Sequence, residues 1–226
     1  MFVSKLIEKK EFDVENINQI SIKNISADLN LLGKADSDKI SLELYSENEK
    51  AVIKVFNQDS TLNITVHIGV LIVNAPSNLN IRIISEVGHN KIKAFENGGY
   101  IKSKAGYVKI DGIRKGDWEI EVDSSPLMMY LDDNLEKLSV KSVNGPLNID
   151  FININSGIYS IFSENAPLYA NFKKLCDVSL DVKTKNQNMI YKIDLPKEKD
   201  KYIIGKGTAE MFFSTKIGPI RVLKEE

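Results

Sequence analysis

Trp118-Glu119-Ile120-Glu121-Val122-Asp123-Ser124-Ser125-Pro126-Leu127-Met128-Met129-Tyr130-Leu131 holds two alternating segments on either side of a Ser-Ser-Pro corner. In each segment every second residue is apolar, the period of a strand that buries one face. The pattern returns. Gly145-Pro146-Leu147 follows Ser125-Pro126-Leu127 by 20 residues, and Ala166-Pro167-Leu168 follows by a further 21. With the prolines aligned, Trp118/Ile120/Val122 shares columns with Leu138/Val140/Ser142, then Tyr159/Ile161/Ser163, then Leu180/Val182/Thr184. After the corner, Leu127/Met129/Leu131 matches Leu147/Ile149/Phe151, then Leu168/Ala170/Phe172, then Met189/Tyr191/Ile193. Ile101/Ser103 and Val108/Ile110 extend the series upstream, and Met211/Phe213/Thr215 with Ile220/Val222 end it around Gly218-Pro219.

Asn-Gly, Ser-Ser and Asn-Ala tolerate turn geometry, and proline pre-sets φ without a ladder donor, so each corner suits a sharp bend. No window of ten or more residues keeps a helical period free of Gly, Pro or Asn. Two short strands cannot bury a face alone, whereas stacked repeats can. The predicted fold is therefore all-β, a single-stranded parallel β-solenoid of about 20 residues per coil, right-handed like most parallel crossovers. Six or so coils from Asn80 to Leu195, about 4.8 Å apart, predict a rod roughly 30 Å long.

The N-terminal third also alternates, in Ile20-Ser21-Ile22, Leu29-Asn30-Leu31, Ile40-Ser41-Leu42-Glu43-Leu44 and Leu62-Asn63-Ile64-Thr65-Val66. No linker interrupts residues 17–222, so one domain is expected over 1–226. It comprises looser coils and a cap over 1–79, regular coils over 80–195, and a C-terminal coil and cap over 196–226. Charged ends suit the capping that a solenoid needs.

The last inward column before the corner reads Ser85, Ser103, Val122, Ser142, Ser163, Thr184. Small hydroxyls there can bond the backbone where it leaves the ladder. As nucleophiles they would need an activating base, and no histidine or lysine shares their register. Trp118, the lone tryptophan, should point inward over Gly99, whose missing side chain leaves room for an indole.

The chain's 226 residues are 42% hydrophobic and 27% charged, enough to build a substantial core. Thirty basic residues against thirty-one acidic ones give a net charge of −1, which argues against nucleic acid as partner. Only Arg82, Arg114 and Arg221 could supply bidentate phosphate contacts. Lys5 and Glu8 interrupt the start, so no signal peptide is expected and a cytoplasmic location follows. Ile68-Gly69-Val70-Leu71-Ile72-Val73 is too short to span a bilayer.

No catalytic residue, cofactor or metal is expected. Cys176 stands alone, which excludes an internal disulfide or a cysteine cluster, and a buried or half-buried structural role suits it. His67 and His89 lack neighbours at metal-ligand spacing and read as surface or turn residues. Asp132-Asp133-Asn134 with Glu136 lacks the spacing and central glycine of a calcium loop and reads as a solvated turn. Gly205-Lys206-Gly207-Thr208 departs from the phosphate-loop pattern and reads as a strand bend.

One outward feature rises above this background. Met128, Tyr130, Tyr169 and Ile190 are predicted to share an exposed sheet face, a composition suited to contact with a protein partner or a second copy. Scattered surface apolars, or cover by a neighbouring loop, are the plainer explanation.

Three stretches give the chain a family likeness. Ile20-Ser21-Ile22-Lys23-Asn24-Ile25-Ser26-Ala27-Asp28-Leu29-Asn30-Leu31 opens it, and Val73-Asn74-Ala75-Pro76-Ser77-Asn78-Leu79-Asn80-Ile81 is an entry strand. Tyr100-Ile101-Lys102-Ser103-Lys104-Ala105-Gly106-Tyr107-Val108-Lys109-Ile110-Asp111-Gly112 is a repeat unit. In this order they resemble the bacterial putative-adhesin or "toastrack" domain of unknown function. That resemblance implies a β-helix linked to the cell envelope or its stress response, and carries no catalytic residues over. The expected function is a non-enzymatic scaffold or binding module. Two alternatives stay open: an enzyme acting on polysaccharide through stacked carboxylates, and a filament protein that assembles end to end.

Overall fold

The computed structural model describes residues 4–173, 175–185, 190–193 and 195–224. Among the described residues there are twenty-one strands, all in one hydrogen-bonded sheet, and no helix. The sheet doubles back on itself so that two broad faces enclose one core.

The first face contains β2 (Gln19–Asn24), β5 (Ile53–Gln58), β6 (Thr61–Val66), and the leading halves of β8 (Asn80–Lys93) and β9 (Gly99–Asp111). It continues with β10 (Asp117–Val122), β12 (Lys137–Ser142), β14 (Ile158–Ser163), β16 (Val178–Thr184), β18 (Lys197–Glu198), β19 (Lys201–Ile204) and β20 (Ala209–Thr215). The second face contains β1 (Lys5–Asp13), β3 (Asp28–Lys34), β4 (Lys39–Ser46), β7 (Val70–Pro76) and the trailing halves of β8 and β9. Then come β11 (Leu127–Leu131), β13 (Leu147–Phe151), β15 (Leu168–Phe172), β17 (Ile190–Ile193) and β21 (Ile220–Lys224).

The expected register holds through the middle. Trp118 pairs with Gly99 and Leu138, Ile120 with Ile101 and Val140, and Leu127 with Val108 and Leu147, all in parallel. At the corners, backbone N–H groups of Val108, Leu127 and Leu147 donate to the carbonyls of Pro126, Pro146 and Pro167 at 2.9–3.0 Å. Each corner is thus stitched to the next, and proline's missing donor costs the ladder nothing there. Inward residues are buried on both faces, and aromatic rings fill the far end of the core. Phe151 stacks on Phe172 at 4.8 Å and meets Phe213 from the opposite face at 6.0 Å.

Two expectations need correction. The arrangement is mixed, not wholly parallel: β1–β4, β4–β7, β5–β6, β16–β19 and β18–β19 pair antiparallel. The reason is local turn chemistry at the two ends. Asp59 and Ser60, at φ 48° and 60°, make the two-residue turn with positive φ that closes β5 on β6.

The second correction concerns layer order. Alignment placed Leu180/Val182/Thr184 directly above Tyr159/Ile161/Ser163, but β20 lies between β14 and β16. Met211 therefore stands between Tyr159 and Leu180, and on the other face β21 separates β15 from β17. The N-terminal end repeats the device, with β2 between β6 and β8 and β3 between β7 and β8. Each end of the stack is thus one strand pair deeper than the chain's first or last parallel pair.

The hydroxyl column behaves as expected in part. Ser142 Oγ donates to the Gly145 carbonyl and Ser163 Oγ to that of Ala166, where the backbone turns. Ser103 instead meets Ser125 at 2.9 Å, and Ser85 accepts from Asn24 and Asn90 within a buried amide cluster.

Candidate contact face

On the second face, outward side chains form rows that run across the strands. One row reads Lys91, Lys109, Met128, Asn148, Tyr169, Arg221, and the next reads Lys93, Asp111, Tyr130, Asp150, Asn171, Leu223. Met128 and Tyr130 are two residues apart on β11, so alternation sets both outward and half-buried. The Tyr130 hydroxyl donates to Met128 Sδ at 3.0 Å, and Lys109 Nζ lies 5.3 Å from the centre of the Tyr130 ring. That is a cation–π pair on an open surface.

The group is extended by residues that sequence reasoning missed. Tyr107 donates its hydroxyl to Met128 Sδ at 3.3 Å, and His89 meets the Tyr107 ring edge-on at 6.3 Å. Burial, and then the neighbouring Tyr130, push the Tyr107 phenol up from its ordinary range. The phenol thus stays a donor to sulfur at any physiological pH. The signal for Tyr107 and His89 was their position: with Val108 aligned on Leu127, Tyr107 occupies the column of Pro126, and His89 pairs with Tyr107. In these two layers a ring replaces the corner proline.

Tyr169, another member of the predicted face, falls away from this group. Tyr169 is half-buried on β15, but Asn148 stands between it and Met128, two strand spacings away. Ile190 pairs with Ile220, an inward residue, and a bulge between Ile190 and Lys192 shifts the strand's parity. The Ile190 side chain lies outside the described residues. The structure therefore unites Met128 and Tyr130 with Tyr107, Lys109 and His89, and leaves Tyr169 apart.

The first face is charged. Lys102 meets Glu121 at 2.7 Å and Lys104 meets Glu86 at 2.5 Å, with Lys141 following Glu121 in register. The hydrogen bond from Lys102 holds the Glu121 carboxyl below its usual range. The acidic turn residues are also engaged: Asp132 lies 4.0 Å from Arg114, and Asp133 accepts from the Asn134 N–H. Cys176 is buried, its thiol donates to the Phe151 carbonyl at 3.2 Å, and burial pushes its pKa up, the opposite of a reactive thiolate. Among the described residues, no helix is long and apolar enough to cross a membrane.

No family model and no curated protein matches the chain. Solved structures do. A putative cell adhesion protein from Clostridium sporogenes is 13% identical at a TM-score of 0.46, covering 99% of this chain and 100% of that one. A putative adhesin from Bacteroides fragilis is 13% identical at 0.44, covering 96% and 97%. A putative lipid binding protein from Parabacteroides distasonis is 12% identical at 0.44, covering 97% and 96%. The second bears the adhesin name of the family that the sequence resembles, and the first is named for cell adhesion.

Proposed function

We propose that the chain is a single-domain, right-handed β-solenoid that acts as a non-enzymatic binding module, presenting the Tyr107–Met128–Tyr130 cluster to a protein partner. The observation that carries this reading is the cluster itself. Three large, polarisable side chains and a histidine ring sit together on a sheet face whose neighbours are lysine, aspartate and asparagine. Aromatic residues and methionine are the types enriched at the centres of interfaces, and a rim of charge is their usual surround. A link to the bacterial cell envelope follows from the family resemblance.

The carboxylate geometry weighs against the glycan-cleaving alternative. Asp111 and Asp150 are separated by Tyr130, two strand spacings or about 10 Å, and Asp150 is held by the Asn171 amide at 2.7 Å. End-to-end polymerisation is opposed by the β1 edge, where Lys5, Glu8, Lys9, Lys10 and Glu11 crowd one strand. The deciding experiment compares immobilised native protein with a Met128→Ser/Tyr130→Ala variant of unchanged thermal stability. A partner identified by mass spectrometry on the native face and lost from the variant is the expected result. Retention of the same proteins by both would overturn the assignment, as would turnover of a glycan lost in Asp150→Asn.

A further inference from the structure

We propose that the C-terminal strand pair β20/β21 is an exchangeable unit, and that the slot between β14/β15 and β16/β17 accepts it from a second copy of this chain. The slot lies away from the Tyr107–Met128–Tyr130 cluster, so the two proposals stand or fall separately.

Four observations carry it. The first is connector length. Five residues join Phe172 to Val178, as five join Leu131 to Lys137, although β16 rises two layers (about 9.6 Å) and β12 only one. The second is that this connector begins as a one-layer step. Lys173 N–H donates to the Phe151 carbonyl at 2.8 Å and Asp177 N–H to that of Ile154 at 2.7 Å, just as Ile152 donates to Leu131. Only past Asp177 do the strands part to admit β20.

Thirdly, the core positions fit either order. Tyr159, Met211 and Leu180 share one row, Ile161, Phe213 and Val182 the next, and Ser163, Thr215 and Thr184 the third. β16 could rest on β14 with apolar on apolar and hydroxyl on hydroxyl. Fourthly, the inserted unit hangs on a hinge. Gly205 and Gly207 sit at φ 66° and 76°, and the segment is latched by Asp177, whose Oδ1 accepts the Thr208 N–H at 3.0 Å. The Thr208 hydroxyl closes the latch on the Asn155 carbonyl at 2.6 Å.

A chain whose latch opens has two outcomes. Its β16/β17 can close directly on β14/β15, or the vacant slot can take β20/β21 from another molecule. Exchange rebuilds every ladder bond and core contact of the closed form, so only the hinge and the cost of association separate monomer from dimer.

The test uses two full-length proteins in a Cys176→Ser background, one carrying Ser160→Cys and the other Phe212→Cys. Residues 160 and 212 pair across β14 and β20 and both are exposed, so a disulfide is within reach once the two strands are neighbours. Unfolded together, refolded at high concentration and oxidised, they are expected to yield a covalent heterodimer. The same proteins mixed only after folding should yield little. A double variant carrying both cysteines in one chain gives the intramolecular control. No heterodimer where that control closes would overturn the proposal. Should the cysteine variants not fold, the unmodified chain decides: a dimer whose share grows with refolding concentration and survives dilution is expected, and monomer at every concentration would refute exchange.

Discussion

Trp118 lies over Gly99: they pair in the parallel ladder, and a Cβ on Gly99 would stand 2.9 Å from indole Cζ3 and 2.7 Å from Ile81 Cγ1. The indole N–H is satisfied by the Lys115 carbonyl at 3.0 Å, so the ring is buried without an orphaned donor. Truncation by Trp118→Ala should cost about 3–5 kcal/mol. Gly99→Ala should cost about 1–3 kcal/mol, because the Ile81 backbone and the indole must both shift. Urea unfolding measures each, and the native indole should resist iodide quenching. A Gly99→Ala midpoint equal to the native one would refute this packing account.

Ser103 and Ser125 satisfy one another at 2.9 Å inside the corner. Ser103→Ala should strand a buried hydroxyl and cost about 1–3 kcal/mol, while Ser103→Ala/Ser125→Ala should cost less than the sum of the two single changes. Strictly additive losses in a double-mutant cycle would show that the hydroxyls are independent.

Burial pushes the Tyr159 phenol up to about 12. Its oxygen accepts from the Leu135 N–H at 3.1 Å and donates to the Ser156 carbonyl at 3.0 Å. The fold favours the neutral phenol, so the stabilisation is complete below the unfolded value near 10 and is lost as pH rises through 12. The loss should reach about 2–3 kcal/mol. Tyr159→Phe, weaker at neutral pH, should lack this alkaline step. Stability measured at pH 9 and pH 12 for both proteins tests it, and parallel losses would contradict it.

Glu121 stands between Lys102 and Lys141 in the ladder. Glu121→Lys should set three like charges in one row and cost about 0.5–2 kcal/mol at low salt, a penalty that shrinks in 1 M salt. Glu121→Gln should cost less than about 1 kcal/mol, as expected of a half-exposed surface pair. A Glu121→Lys penalty unchanged by salt would point to packing as its cause.

Alternation and corner spacing made the middle of the fold legible, because each residue pairs with its counterpart one repeat away. Layer order at the ends was not legible. Leu180/Val182/Thr184 and Met211/Phe213/Thr215 carry the same chemistry, and the Thr208–Asp177 hydrogen bond that accompanies the observed order leaves no periodic mark. Met128 and Tyr130 were readable because β11 alternates without interruption. His89 and Tyr107 were hidden beside Gly88 and Gly106, whose φ of 128° and 112° carries β8 and β9 through the corner and breaks the period.

The buried position of both terminal strand pairs bears on how such a protein can change size. A repeat added beyond the N-terminal end would meet the antiparallel strands β1 and β5, and on the first face of the C-terminal end it would meet the β18/β19 hairpin. A layer can be lost from the interior with the register kept, because layers there are alike. Deleting 117–136 would join Gly116 to Lys137, set Leu138 over Gly99, and leave both ends untouched. A shortened chain of that kind would keep its two differently built ends and lose only a layer whose neighbours already match each other.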